Sequence, residues 1–124
     1  MRKLIGALFI IVLIFSCNNE EITPITKNDL AKLESQIRDM IGNDCSNSGQ
    51  CEVIAFGSKP CGGPWEYLVY SSSDTDVALL IEKVNTFNQL QEEYNVENGI
   101  YSDCSFVGSP EVTCVDGKCQ IAGN

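Results

Sequence analysis

The chain contains no histidine, and that absence removes much of enzyme chemistry at once. Histidine is the commonest general base near neutral pH and a leading metal ligand, so Ser-His-Asp and Cys-His catalysis are excluded, along with most zinc sites. Basic residues are scarce: 8 Lys and Arg stand against 17 Asp and Glu. A protein this acidic has no footprint for nucleic-acid phosphates or anionic headgroups, and suits solubility beside a negatively charged envelope, or a basic partner. No two of the 7 cysteines have C-x-x-C spacing, so neither a thioredoxin-like redox pair nor a zinc knuckle is indicated. Tryptophan occurs once, at Trp65. No apolar run reaches the roughly 20 residues of a membrane-spanning helix. The longest is Leu4 to Phe15.

That run follows Arg2 and Lys3, and a charged start with a short apolar core is the pattern of a signal peptide, assigned to residues 1–16. It ends in Ile14-Phe15-Ser16-Cys17, which resembles the lipobox of bacterial lipoproteins. The resemblance implies that Cys17 becomes the mature N-terminus, carries the lipid and holds the protein in a bilayer, at the outer membrane or cell surface. Residues 17–25 are polar, without apolar period, and read as a tether. Glu20 and Glu21 resemble the surface-export signals of Bacteroidetes-type lipoproteins, while a plain solvated linker explains them equally.

Without residues 1–16 the chain keeps 6 Lys and Arg against 17 Asp and Glu, a formal charge of −11. Residues 26–124 then form one domain, small enough to bury only about two-thirds of its unfolded surface, so covalent staples would help it. Cys45, Cys51, Cys61, Cys104, Cys114 and Cys119 read as three disulfides in an exported chain. Six cysteines allow 15 pairings. Asp116-Gly117 signals a two-residue hairpin that sets Cys114 opposite Cys119, within bridging range. The competing pairing sends both to distant partners, stapling the hairpin to Cys104 and to the Cys51–Cys61 segment. The distant pairing is preferred because long loops gain more from closure.

Thr26 or Asn28 caps a first helix with Leu30, Leu33, Ile37, Met40 and Ile41 on one stripe, ending at Gly42. Cys51 to Gly57 and Trp65 to Tyr70 read as antiparallel strands, joined by a turn over Ser58 to Pro64. Ser73 or Asp74 opens a long helix in which Val77, Leu80, Ile81, Val84, Phe87, Gln91 and Tyr94 keep the helical period, until Asn98-Gly99. Ser102 to Gly108 is irregular or a short strand, and Val112 to Ile121 is the final hairpin. This order predicts an α+β fold: an antiparallel sheet of three to five short strands packed by one long helix and stapled by disulfides.

The densest unusual stretch is Gly57-Ser58-Lys59-Pro60-Cys61-Gly62-Gly63-Pro64-Trp65. Prolines fix φ, glycines allow positive φ, and a cysteine pins the centre, so the loop is preorganised. Lys59, Gly62, Gly63 and Trp65 are the candidate binding residues. The competing reading is that a sharp turn needs these residues and that Trp65 covers the core. The stretch from Cys51 through this loop to Tyr67 and Val69-Tyr70-Ser71, with Ser102-Asp103-Cys104 and the Cys114/Cys119 hairpin, resembles a family of small, uncharacterised exported Cys-rich bacterial proteins. It covers most of residues 51–121 and implies a common fold but no particular activity.

A lysine beside a disulfide-anchored loop also suggests a protease inhibitor, but Pro60 after Lys59 resists the substrate-like geometry, and Lys59 reads as a solvated turn residue. Asp74 and Asp76 are calcium-ligand candidates that helix capping explains better. Glu52 and Glu66 are the only acids that strand register could pair for acid-base work. No cofactor and no metal are expected. An envelope binding module with a protein or glycan partner ranks first, a surface-anchored inhibitor using the Lys59–Trp65 loop second, and an enzyme a distant third.

Overall fold

A computed structural model describes residues 23–123; the expected signal peptide, the expected lipid site Cys17 and the expected tether as far as residue 22 lie outside the described residues. Ile25, assigned to the tether, already packs against the core. Thr26 then opens helix α1 (Lys27–Asp39) with a capping box: its side chain accepts from the Asp29 amide, and the Asp29 carboxylate accepts from the Thr26 amide at 3.0 Å. The Thr26 hydroxyl, which donates to the Asp29 carboxylate at 2.6 Å, and then the Thr26 amide hold that carboxyl below its usual range.

Helix α1 ends at Asp39, earlier than expected, and Gly42 has another task. A Cβ there would collide with Asp74, so glycine is what lets segment 42–44 lie against the start of the second helix. Thr75 Oγ1 accepts from the Gly42 amide at 3.0 Å, and Asp74 accepts from the Asp44 amide at 3.1 Å. Asp74 and Thr75 are thereby committed to the loop, and helix α2 (Val77–Glu97) starts two to three residues later than expected. Asp76 is its N-cap, accepting from the Leu79 amide at 3.1 Å.

Strands β1 (Cys51–Phe56) and β2 (Glu66–Ser71) pair antiparallel, with Cys51 opposite Ser71 and Phe56 opposite Glu66. Their inner residues Phe56, Leu68 and Tyr70 meet Leu30 and Ile37 of α1 and Leu80, Val84 and Phe87 of α2. The Phe56 and Phe87 rings stack at 4.4 Å. The expected stripe on α2 holds at Leu80, Val84 and Phe87, whereas Ile81 is exposed.

The expected single sheet of three to five strands is corrected to two sheets of two. Strands β3 (Val112–Val115) and β4 (Lys118–Ile121) form the Asp-Gly hairpin, with both turn residues at positive φ. This hairpin does not extend the first sheet because its flanks are engaged by residues 43–48. The Cys119 amide donates to Asn43 and the Cys45 amide to Gly117, both at 2.9 Å, while the Cys114 amide donates to Ser48 Oγ at 3.2 Å. A short 3-10 turn, Ser48–Gln50, leads from this segment into β1.

Three disulfides close the fold: Cys45–Cys114, Cys51–Cys119 and Cys61–Cys104. Cys114 does stand opposite Cys119, yet each pairs at a distance, as preferred from the sequence. The partners differ in one respect: Cys45, not Cys104, staples the hairpin.

Candidate functional site

The Lys59–Trp65 loop leaves the end of β1 at Gly57, whose φ of 82° suits glycine. A Cβ there would also sit 2.7 Å from Trp65 Cδ1. Helix α2 then grips the backbone with three amide side chains spaced three and four residues apart on one face. Asn88 accepts from the Gly57 amide at 2.7 Å and donates to Ala55 at 3.3 Å. Gln91 accepts from the Ser58 amide at 2.6 Å, and buried Asn95 donates to the Ser58 carbonyl at 2.8 Å. Sequence reasoning placed Gln91 on the apolar stripe and missed Asn88 and Asn95. Their helical spacing was the available signal. Inside the loop, the Gly62 amide donates to Lys59 at 2.8 Å and the Lys59 amide to Gly63 at 2.9 Å, while Cys61–Cys104 ties it to the 102–106 segment.

Lys59 is not the solvated residue expected. It is 5% exposed, with Nζ donating to the Ser105 carbonyl at 2.7 Å and its hydroxyl at 3.0 Å. Asp103 lies 3.9 Å away and the Trp65 ring centroid 5.2 Å away. The Ser105 amide and hydroxyl, with Lys59 adding less, hold the Asp103 carboxyl below its usual range. A buried ammonium needs such partners, and here they turn the side chain inward. Lys59 is a clamp, parallel to the neighbouring disulfide.

Trp65 fits neither extreme reading. Its indole N–H donates to the Ser58 carbonyl at 3.0 Å, fixing the ring, yet 40% of the residue is exposed. It borders a groove of about 330 Å³ with Leu30, Phe87 and Tyr94. A cleft of about 450 Å³ shares Asn95 and Ile100 with that groove and is lined by Lys59, Gly62, Gly63 and Tyr101. The structure therefore gathers all four sequence candidates at two adjoining depressions. Gly62 and Gly63 are exposed, at φ 89° and 81°.

The remaining candidates disperse. Glu52 faces Tyr70 and Glu66 faces Phe56, so the two acids are not cross-strand partners. Glu52 accepts from the Tyr70 hydroxyl at 2.7 Å, and Glu66 pairs with Arg38. Asp76 caps α2 and Asp74 binds a loop amide, which accounts for both without a cation. The sulfurs of Cys45, Cys51 and Cys119 lie within 4.8 Å of one another, but in disulfides they offer no thiolate to a metal. What the loop region offers chemically is recognition: a fixed aromatic face, exposed glycine backbone and two apolar-floored depressions.

No known protein family, curated protein or solved structure matches this chain. Among the described residues, no helix is long and apolar enough to cross a membrane.

Proposed function

We propose that this protein is a lipid-anchored bacterial envelope lipoprotein whose acidic, disulfide-stapled domain is a binding module for a protein or glycan partner. The working surface is the Lys59–Trp65 loop with its flanking depressions. The anchor rests on sequence: the charged start, the apolar run and Cys17 behind it. The observation that carries the binding reading is Trp65, an indole held in one orientation by Ser58 yet open to a partner. Tryptophan is the side chain most enriched at energetic hot spots, and a loop ordered in advance lowers the cost of association. The inhibitor alternative uses the same loop but needs Lys59 to face outward, and the burial of its ammonium counts against it.

Two variants test this. Cys17→Ser should abolish labelling by fatty acid and release the chain from the membrane fraction; persistent labelling would remove the anchor. Trp65→Ala should abolish capture of envelope partners while costing about 1 to 2 kcal/mol of stability, since much of the ring is already in water. A core tryptophan would instead cost about 3 to 5 kcal/mol. Intact capture, or a loss of that size, returns the loop to a structural role.

A further inference from the structure

The C-terminal end of α2 carries charge of the wrong sign for its own dipole. Glu92, Glu93 and Glu97 occupy its last two turns, with no basic residue in the last. A carboxylate in the last turn, where Glu97 stands, is disfavoured by the helix dipole. All three are exposed, and among the described residues none forms an ion pair. The neutral Gln89 amide donates to Glu93 at 3.0 Å. Beyond that one bond, the row has no partner among the described residues that offsets its charge.

Apolar side chains stand open on the same surface. Val96 is 79% exposed and Tyr101 90%, and both line the 450 Å³ cleft together with Ile100 and Glu92. Val96 also sits between Glu92, Glu93 and Glu97 in an adjoining depression of about 420 Å³. Among the described residues, the only basic one lining either is Lys59, whose ammonium is buried against Ser105. The result is a surface on which Val96, Ile100 and Tyr101 stand open beside carboxylates that have no ion-pair partner among the described residues. Exposed apolar surface rimmed by polar groups marks interaction sites, and unmatched charge selects the sign of the partner.

We infer that this cleft docks a cationic peptide segment of a partner protein. An apolar side chain of the segment enters between Val96, Ile100 and Tyr101, while its Lys or Arg side chains meet Glu92, Glu93 and Glu97. A neutral glycan would leave the three carboxylates unanswered, and an anionic bilayer surface would be repelled by them. The inference rests on the binding-module reading and adds residues outside the Lys59–Trp65 loop.

Calorimetry on the full chain in nonionic detergent tests it with three capped hexapeptides: Lys-Leu-Lys-Lys-Leu-Lys, its Lys/Ser counterpart and its Glu/Leu counterpart. The Lys/Leu peptide should bind at least about tenfold more tightly than either control. Reversing the row (Glu92→Lys, Glu93→Lys, Glu97→Lys) should weaken it more than about tenfold, and these lysines suit the helix C-terminus, so folding is preserved. Glu111→Lys, at the hairpin end, should change affinity less than about twofold. Equal binding of the Lys/Ser peptide, equal loss on Glu111→Lys, or no Lys/Leu binding overturns the inference. So does protection of the 96–101 amides from hydrogen exchange in phosphatidylcholine proteoliposomes without peptide, which would assign the face to the membrane. Capture that depends on Trp65 while the peptide fails would remove only the cationic partner. Peptide binding while capture ignores Trp65 would keep this cleft and remove the loop as the working surface.

Discussion

The two ends of the β1–β2 sheet are held by different means. At the end where β1 begins, backbone pairs with backbone: segment 43–45 docks on the β3–β4 hairpin through main-chain bonds, and two disulfides lock the arrangement. At the other end the Lys59–Trp65 loop is held by side chains, namely Asn88, Gln91, Asn95 and Lys59, with a single disulfide. Main-chain pairing consumes the surface it stabilises. Side-chain clamps reach in from one face and leave the other open: Trp65, Tyr101 and Val96 stand exposed around the loop, whereas the hairpin exposes Val115 and Ile121 on its strands.

Removing bridges should reveal this asymmetry most strongly. Cys45–Cys114 and Cys51–Cys119 close nearly the same loop, with sequence separations of 69 and 68. With either one intact, loss of the other frees only the six-residue step from Cys45 to Cys51 and the five-residue step from Cys114 to Cys119. Cys61–Cys104 closes 43 residues, and with Cys51–Cys119 intact its loss frees longer steps, about ten residues from Cys51 to Cys61 and about fifteen from Cys104 to Cys119. On loop-closure entropy, the double variant Cys61→Ala/Cys104→Ala should lose about 3.5 kcal/mol and Cys45→Ala/Cys114→Ala about 3 kcal/mol. Urea unfolding measures both. A larger loss at the hairpin would mean that native packing around its bridges outweighs chain entropy.

Lys59→Met sharpens the comparison at the loop end. It keeps the aliphatic stem but leaves the Ser105 carbonyl and hydroxyl without their donor, which should cost about 2 kcal/mol. Amide exchange should accelerate in residues 57–65 and 99–106 and stay unchanged in the β3–β4 hairpin. Uniform acceleration in both regions would show that the ends are one cooperative unit and would undo the distinction.

These residues also show what could be read from the chain alone. Both helices, the Asp-Gly hairpin and, to within one residue, the strands read as Cys51 to Gly57 and Trp65 to Tyr70 were legible, because apolar period and turn chemistry are local properties. The sheet count was not, since it depended on residues 43–48 engaging the flanks of the hairpin, a long-range event with no local pattern. The Lys59–Trp65 loop was visible from its composition. The orientation of Lys59 was hidden, because a lysine in a Gly/Pro turn normally points to water and its partner Ser105 lies 46 residues away. Of the Asn88, Gln91 and Asn95 row only Gln91 was legible, through its place on the apolar stripe; polar residues on a helix ordinarily face solvent, so Asn88 and Asn95 were missed although their spacing matches it.

The smallest effect concerns the hairpin-side half of the sheet, where Tyr70 opposes Glu52 and donates to it at 2.7 Å. Burial first, and then the Glu52 hydrogen bond and charge, push the Tyr70 hydroxyl up from 10.0 to about 12. The folded protein therefore favours the protonated phenol. Its contribution is present in full below pH 10 and is lost as pH rises toward about 12, because the unfolded chain gives up this proton first. Tyr70→Phe should cost about 1 kcal/mol at neutral pH, the ordinary worth of such a bond. It should also flatten the fall in stability across the alkaline window, measured by urea unfolding from pH 9 to 11.5, roughly the span in which an unperturbed tyrosine ionises. A variant that loses stability with the same alkaline slope as the parent would show that Tyr70 ionises alike in both states, and that this half of the sheet draws nothing from the buried phenol.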